Sequence, residues 1–323
     1  MTRIDNLMSA DRPYLADGGL ETVMIFDEGF DLPQFASFVL LQSAAGQAAM
    51  HRYFDGFLQL AEQAGTGFVL DTPTWRAGSQ WGGALGLGAD AVRAVNVAAV
   101  DFARQIRDAR ETPQMPVIIN GVIGPSGDGY TVVNALSPDE AEARHRLQVQ
   151  TLADAGADLV TVMTMTHSGE AIGAVRAAVA AGVPVVLSFT LETDGRLPSG
   201  ETLAGAIAAT DAATGAAPLF YMINCAHPEH FSNQLSGPVT GRIGGIRANA
   251  SRMSHAELDM ATVLDPGDAE ELGHLYRGLQ GRLPGLKILG GCCGTGHQHL
   301  TAISHHCIVQ PGTAKGHQLP PKM

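Results

Sequence analysis

SPDEAEARHRLQVQTLADAGADLVTVMT, residues 137–164, holds one complete passage from helix to strand, and its reading decides the fold. Ser137 offers a side-chain cap, Pro138 takes the first helical position and Glu140 stands where a capping box needs it, so a helix starts here and stops near Gly156. ADLVTVMT (157–164) is short, apolar and rich in β-branched side chains, as a strand buried on both faces should be.

The same alternation recurs in both directions along the chain. Further strand candidates are YLADGG (14–19), GFVLDT (67–72), PVIINGVIG (116–124), VPVVLSFT (183–190), LFYMINC (219–225), IGGIRAN (243–249) and LKILGGCC (286–293). Segments of helical period lie at 88–110, 168–181, 201–213 and 267–282. Eight strand and helix units in one chain predict a single closed (β/α)8 TIM barrel. The competing open, doubly wound sheet would place GxGxxG after its first strand, and the turn there reads DGGLET. The barrel is expected to occupy residues 1–310, with PGTAKGHQLPPKM contributing a loose polar tail at 311–323.

Composition narrows the function classes. The 323 residues are 45% hydrophobic and 16% charged, ordinary for a globular protein. A net charge of -12 argues against a nucleic-acid partner, which needs a basic face, and accords with a cationic small substrate. The apolar run AAVAAGVPVVLSF is interrupted by Gly182 and Pro184, and the N-terminus has no signal-like stretch. Four irregularly spaced cysteines do not form the disulfide framework of a small secreted protein. A cytoplasmic protein with no membrane partner is the expectation; a homo-oligomer stays open.

GGCCGT (290–295) puts two of those four cysteines side by side, where a disulfide between neighbours would be strained. Cys292 and Cys293 end the eighth strand candidate and Cys225 ends the sixth, at the face where barrel enzymes carry their active sites. Strands six and eight are separated by one neighbour, which sets their ends about 10 Å apart at the backbone. Three inward thiolates suit a tetrahedral Zn2+ with one position left open, and the glycines of GGCC would let the backbone bend so that both thiols face the ion. The plainer alternative is that the three are small buried apolar residues. Cys307 lies beyond a helix across HQHLTAIS and is expected to be packed or idle, and His227, His230, His297 and His299 are not expected to be ligands.

GGCCGT together with the upstream NC, an N-terminal DGG, IGP after the third strand, SFT after the fifth and IR-x-N after the seventh resembles the homocysteine S-methyltransferase family. The matching blocks run from ADGGLET (16–22) to GGCCGT (290–295). The resemblance implies a zinc-dependent barrel that moves a methyl group onto a thiol, with Cys225, Cys292 and Cys293 as ligands and catalytic residues. Asp17 and the Gly18 and Gly19 backbone would hold the amino-acid end of the acceptor, and Thr164 would stand beside it. Zinc deprotonates a bound thiol outright, whereas a free thiol near pKa 8.5 is mostly protonated at neutral pH. No side-chain general base is then required for attack on a cationic methyl donor.

Trp75, Trp81 and Tyr130 offer ring faces to a methylated cation, with core packing as the alternative for each. Two positions depart from the family pattern. Met163 and Thr164 stand where the family carries Glu-Thr, removing a carboxylate that would hold the acceptor ammonium. Arg76 stands where betaine-using relatives place an aromatic residue; its guanidinium would repel a quaternary ammonium and grip a carboxylate.

The leading expectation is therefore an S-methyltransferase with homocysteine as default acceptor, and S-methylmethionine or S-adenosylmethionine as favoured donor. The chain has no room for folate or cobalamin domains, so the donor should arrive as a free small molecule. The alternatives are a thiol alkyltransferase or demethylase with another acceptor, and a barrel that binds zinc and thiols without catalysis.

Overall fold

All eight expected strands form, and they close into one parallel barrel in sequence order in the structure, a computed structural model that describes residues 2–309. They are β1 (Tyr14–Ala16), β2 (Phe68–Asp71), β3 (Val117–Ile123), β4 (Leu159–Met165), β5 (Val185–Thr190), β6 (Tyr221–Asn224), β7 (Ile243–Ala248) and β8 (Ile288–Gly291). β1 pairs with both β2 and β8, which closes the ring. The tail expected at 311–323 lies outside the described residues.

Among the described residues seven long helices surround the strands: α1 (Ala44–Ala64), α2 (Ala89–Arg110), α3 (Pro138–Asp154), α4 (Ser168–Ala181), α5 (Leu203–Thr214), α6 (Ala269–Arg282) and α7 (His297–Cys307). The Ser137 capping box forms as its sequence predicts. An eighth long helix between β6 and β7 does not form. That crossover is built from short turns at Pro228–Phe231, Ser232–Gln234 and Gly237–Arg242, because Pro238, Gly237 and Gly241 interrupt any continuous ladder of helical bonds.

Strand side chains alternate between two interiors. Leu15, Leu70, Ile119, Val160 and Ile246 face outward into the layer shared with the helices. Val69, Ile118, Leu159, Val186, Met222 and Ile288 face inward and fill the lower barrel, where Leu7 of the short helix Arg3–Ser9 plugs the floor.

One step further along each strand, the inward layer becomes polar. Asn120 donates to Asp71 at 2.7 Å, Thr161 donates to Asn120 at 2.8 Å and Ser188 donates to Asn224 at 2.6 Å. Arg247 of β7 crosses the ring to pair with Asp71 of β2 and Asp17 beyond β1. A buried polar layer is stable only when its donors find acceptors, and this one forms the floor of a cavity.

Candidate active site

The cavity opens at the C-terminal ends of the strands and has a volume of about 550 Å3. Its floor contains Asp17, Asp71 and Arg247, and its wall contains Cys225, Cys292 and Cys293. The loop after β1 and the loop after β7 form the mouth, presenting Phe26, Phe35, Leu258 and Val263.

Three cysteines meet as expected, their sulfur atoms all within 4.8 Å of one another. Cys225 and Cys292 have Cα atoms only 5.5 Å apart, closer than the two strand spacings expected from sequence. Cys225 follows the last residue of β6 with φ +52°, a left-handed conformation, and its sulfur lies with those of the β8 cysteines. His255 Nε2 donates to the Cys225 carbonyl at 2.6 Å and Glu192 anchors the other ring nitrogen at 2.9 Å, holding that peptide in place.

Cys225 and Cys292 bring their sulfurs closest together, within reach of disulfide formation, and Cys293 stands beside them as a separate thiol. Ligands to one tetrahedral zinc at 2.3 Å would have their sulfurs about 3.8 Å apart, so sulfurs gathered for an ion already lie close to bonding reach. Only the reduced pair has thiolates to offer a metal. Among the described residues no histidine or carboxylate joins the cluster. Tyr130 Oη lies 3.6 Å from Cys293 Sγ and Asn224 Nδ2 4.0 Å from Cys292 Sγ. The donor set therefore suits zinc with one open position.

The glycines beside the cysteines act differently from the bending role expected of them. A Cβ on Gly291 would run into the Thr295 side chain, and one on Gly19 would lie 2.6 Å from the Cys292 carbonyl. They permit close approach of the DGG turn and the GGCC turn, whose ends meet because β1 and β8 are neighbours. Gly19 N–H consequently donates to the Thr295 carbonyl at 3.0 Å, so it is not free for a ligand carboxylate.

Asp17 is 2% exposed and engaged on both oxygens, by Arg247 and by Tyr53 Oη at 3.1 Å. Burial raises its carboxyl to about 7, against the pull of Arg247. Burial also opposes the charge on Arg247, but Asp71 and Asp17 together hold its pKa above the ordinary value. Thr164 has φ +64°, beside the irregularity in the β4–β5 pairing, and exchanges two hydrogen bonds with Asn224: its N–H donates at 3.0 Å and its hydroxyl accepts at 2.8 Å. Met163 lines the cavity.

Trp75 and Trp81 each have one ring face occupied, which the sequence did not lead us to expect. The Arg76 guanidinium carbon lies 3.9 Å from one ring centroid and 3.7 Å from the other, so the protein's own cation covers a face of each. Burial lowers the Arg76 pKa to about 10, which leaves it charged at neutral pH. Tyr130 stacks on His255 with ring centroids 4.2 Å apart. Cys307 is buried in the core, His299 bonds to the Pro266 carbonyl, and His227 caps Pro228–Phe231. Arg247 and Asp71 were not singled out as site residues from sequence; the alternation DT in β2 and IR-x-N in β7 was the available signal. Glu21 was likewise missed, inside the DGGLET block.

A sequence model of the family described as homocysteine S-methyltransferase matches residues 14–307. Crystal structures of the homocysteine methyltransferase MmuM from Escherichia coli share the fold. The oxidized form gives a TM-score of 0.76 and the metallated form 0.73, each at 21% identity over 94% of this chain and 99% of that one. Methionine synthase of Mycobacterium leprae is 26% identical over 237 residues, 67% of this chain. The chain spans 18% of the length of that curated relative.

Proposed function

Because the chain belongs to the homocysteine S-methyltransferase family, we propose that it is a zinc-dependent enzyme moving a methyl group from a small sulfonium or ammonium donor to a thiol, homocysteine by default. The observation that carries the reading is the group of Cys225, Cys292 and Cys293 sulfurs within 4.8 Å of one another on the wall of the cavity. These three residues would hold the ion. Zinc supplies a Lewis acid that keeps an acceptor thiol deprotonated at neutral pH.

The chain's own residues do the remaining work. His255 and the Asn224–Thr164 pair hold the Cys225 turn and the β4 end rigid, so the reacting groups are positioned before they meet. The mouth loops give the cavity entrance an apolar rim with Phe26, Phe35, Leu258 and Val263. The acceptor sulfur attacks the donor methyl carbon in line with its bond to the onium atom. That bond breaks, the new carbon–sulfur bond forms, and the donor leaves neutral.

A second reading keeps the chemistry and changes the acceptor. Met163 in place of a carboxylate and the prior engagement of Asp17 by Arg247 favour a thiol other than homocysteine. The experiment is metal analysis of protein kept under a thiol reductant, with mass spectrometry of products from a matrix of thiols and onium donors. One zinc per chain and methylated thiol are expected. Cys225→Ser and Cys293→Ala should each lose the metal and at least 10^3-fold of turnover, roughly the loss of a catalytic nucleophile's activation. Full turnover in either metal-free variant would overturn the reading.

A further inference from the structure

Away from the cavity, a second group of metal-ligating side chains lies on the helical layer. Glu270, His274 and His306 each offer one donor atom, and these atoms all lie within 4.8 Å of one another. Glu270 and His274 belong to α6, where a spacing of four residues sets them one turn apart on the same face. His306 comes from the last turn of α7. Close packing of the two helices brings it across: a Cβ on Gly273 would lie 2.6 Å from His306 Cδ2 and 3.0 Å from the Ala302 carbonyl oxygen, so a glycine is needed at this approach.

The His274 and His306 rings then have centroids 4.1 Å apart, and His306 Nε2 lies 2.9 Å from Glu270 Oε2. Ligand atoms bound about 2.1 Å from one ion stand about 3.0–3.4 Å apart in octahedral or tetrahedral sites. The Glu270–His306 pair is already near that spacing, and His274, exposed to solvent, closes the set by rotating its side chain. The neighbouring Glu271 is taken by Arg252 at 2.6 Å, whereas Glu270 pairs only with His306 among the described residues.

We propose that Glu270, His274 and His306 form a peripheral site for a divalent transition ion of the zinc class, which clips the start of α6 to the end of α7. Two imidazole nitrogens and one carboxylate oxygen suit such an ion and disfavour Mg2+ and Ca2+, which take oxygen ligands. The ion braces helices that frame the cysteine turn. Tyr276 of α6 donates its hydroxyl to the Gly290 carbonyl at 2.7 Å and accepts from Ala248 N–H at 2.7 Å, and α7 follows GGCCGT directly.

The test equilibrates untagged, reduced full-length protein with micromolar free Zn2+, counts bound metal and follows thermal unfolding in the same buffer. Wild-type protein should hold one more ion per chain than His274→Ala, whether or not the cysteines load, and Cys225→Ser should retain that ion. His274→Ala and Glu270→Gln should each weaken the site at least about tenfold, the cost even of an outer-shell partner. Zinc should raise Tm by a few degrees in Cys225→Ser and leave a Cys225→Ser, His274→Ala double variant unmoved. One ion per chain that is lost in His274→Ala but kept in Cys225→Ser would retain this site and reject zinc at the cysteines. Equal zinc content in wild type, His274→Ala and His306→Ala overturns the site, and so does tighter binding of Mg2+ or Ca2+ than of Zn2+. His274 is exposed, so its replacement leaves the core intact and the comparison readable.

Discussion

Arg247 shows how one side chain can organise a site without being its reactive group. It reaches across the barrel to Asp17 and Asp71, and its Nε donates to the Gly291 carbonyl at 3.0 Å, so the turns carrying DGG and GGCC are referenced to a single guanidinium. Removing one member of a buried charge cluster leaves the others uncompensated. Arg247→Met is expected to lower unfolding free energy by about 3–5 kcal/mol, read from urea denaturation. In that variant the Asp17 carboxyl, already raised by burial, loses the opposing pull of Arg247, so its folded-state pKa stands further above its unfolded one and the folded state binds the extra proton. Its deficit should accordingly shrink as pH falls from about 8 to 5. A deficit independent of pH would show that packing, not charge, is what Arg247 contributes. The cysteine trio was legible in the sequence because strand ends and glycines surround it. Arg76 between two indoles was not, since Trp75 and Trp81 belong to different turns of the chain and only folding brings them to one cation.

At the level of elements, α4 ties the outer layer to the cavity. Glu170 in its first turn accepts from Ser126 N–H at 2.7 Å, in the loop that leads to Tyr130, and lies 2.9 Å from His145 Nε2 on α3. Burial would raise this carboxyl, but His145 and Ser126 outweigh burial and hold it at about 2, against an ordinary 4.5. A depressed folded-state pKa contributes stability that is fully present above 4.5 and lost as pH falls toward 2. Glu170→Gln should therefore cost roughly 3 kcal/mol at neutral pH and flatten the acid limb of a stability profile over that window. Thermal unfolding followed from about pH 2 to 7 would check it; identical acid limbs in the two proteins would rule it out. The capping box that starts α3 could be read from Ser137 and Glu140 because both partners lie in one turn. The Glu170 bonds join three separate elements, which local sequence does not encode.

For the molecule as a whole, the barrel divides its interior into an apolar lower half and a polar upper half. Leu7 is fully buried at the lower opening against Tyr14, Val69 and Ile118. Leu7→Ala should cost about 2–4 kcal/mol through the cavity left behind, lowering Tm by several degrees. Because the cavity with the cysteines lies at the opposite end, turnover at 25 °C should be unaffected; a loss of activity without loss of Tm would contradict this separation. By itself the sequence determined the eight strands, their order and the end of the barrel at which three cysteines meet. Periodicity and turn residues are local properties, and a parallel barrel offers few ways to arrange them. Tertiary structure alone decided that Cys225 takes a left-handed conformation beside Cys292, that the sixth crossover closes without a long helix, and that Arg247 rather than a ligand occupies Asp17. Those outcomes depend on distances between residues far apart in the chain, where each charge settles against whichever partner the closed ring brings within reach.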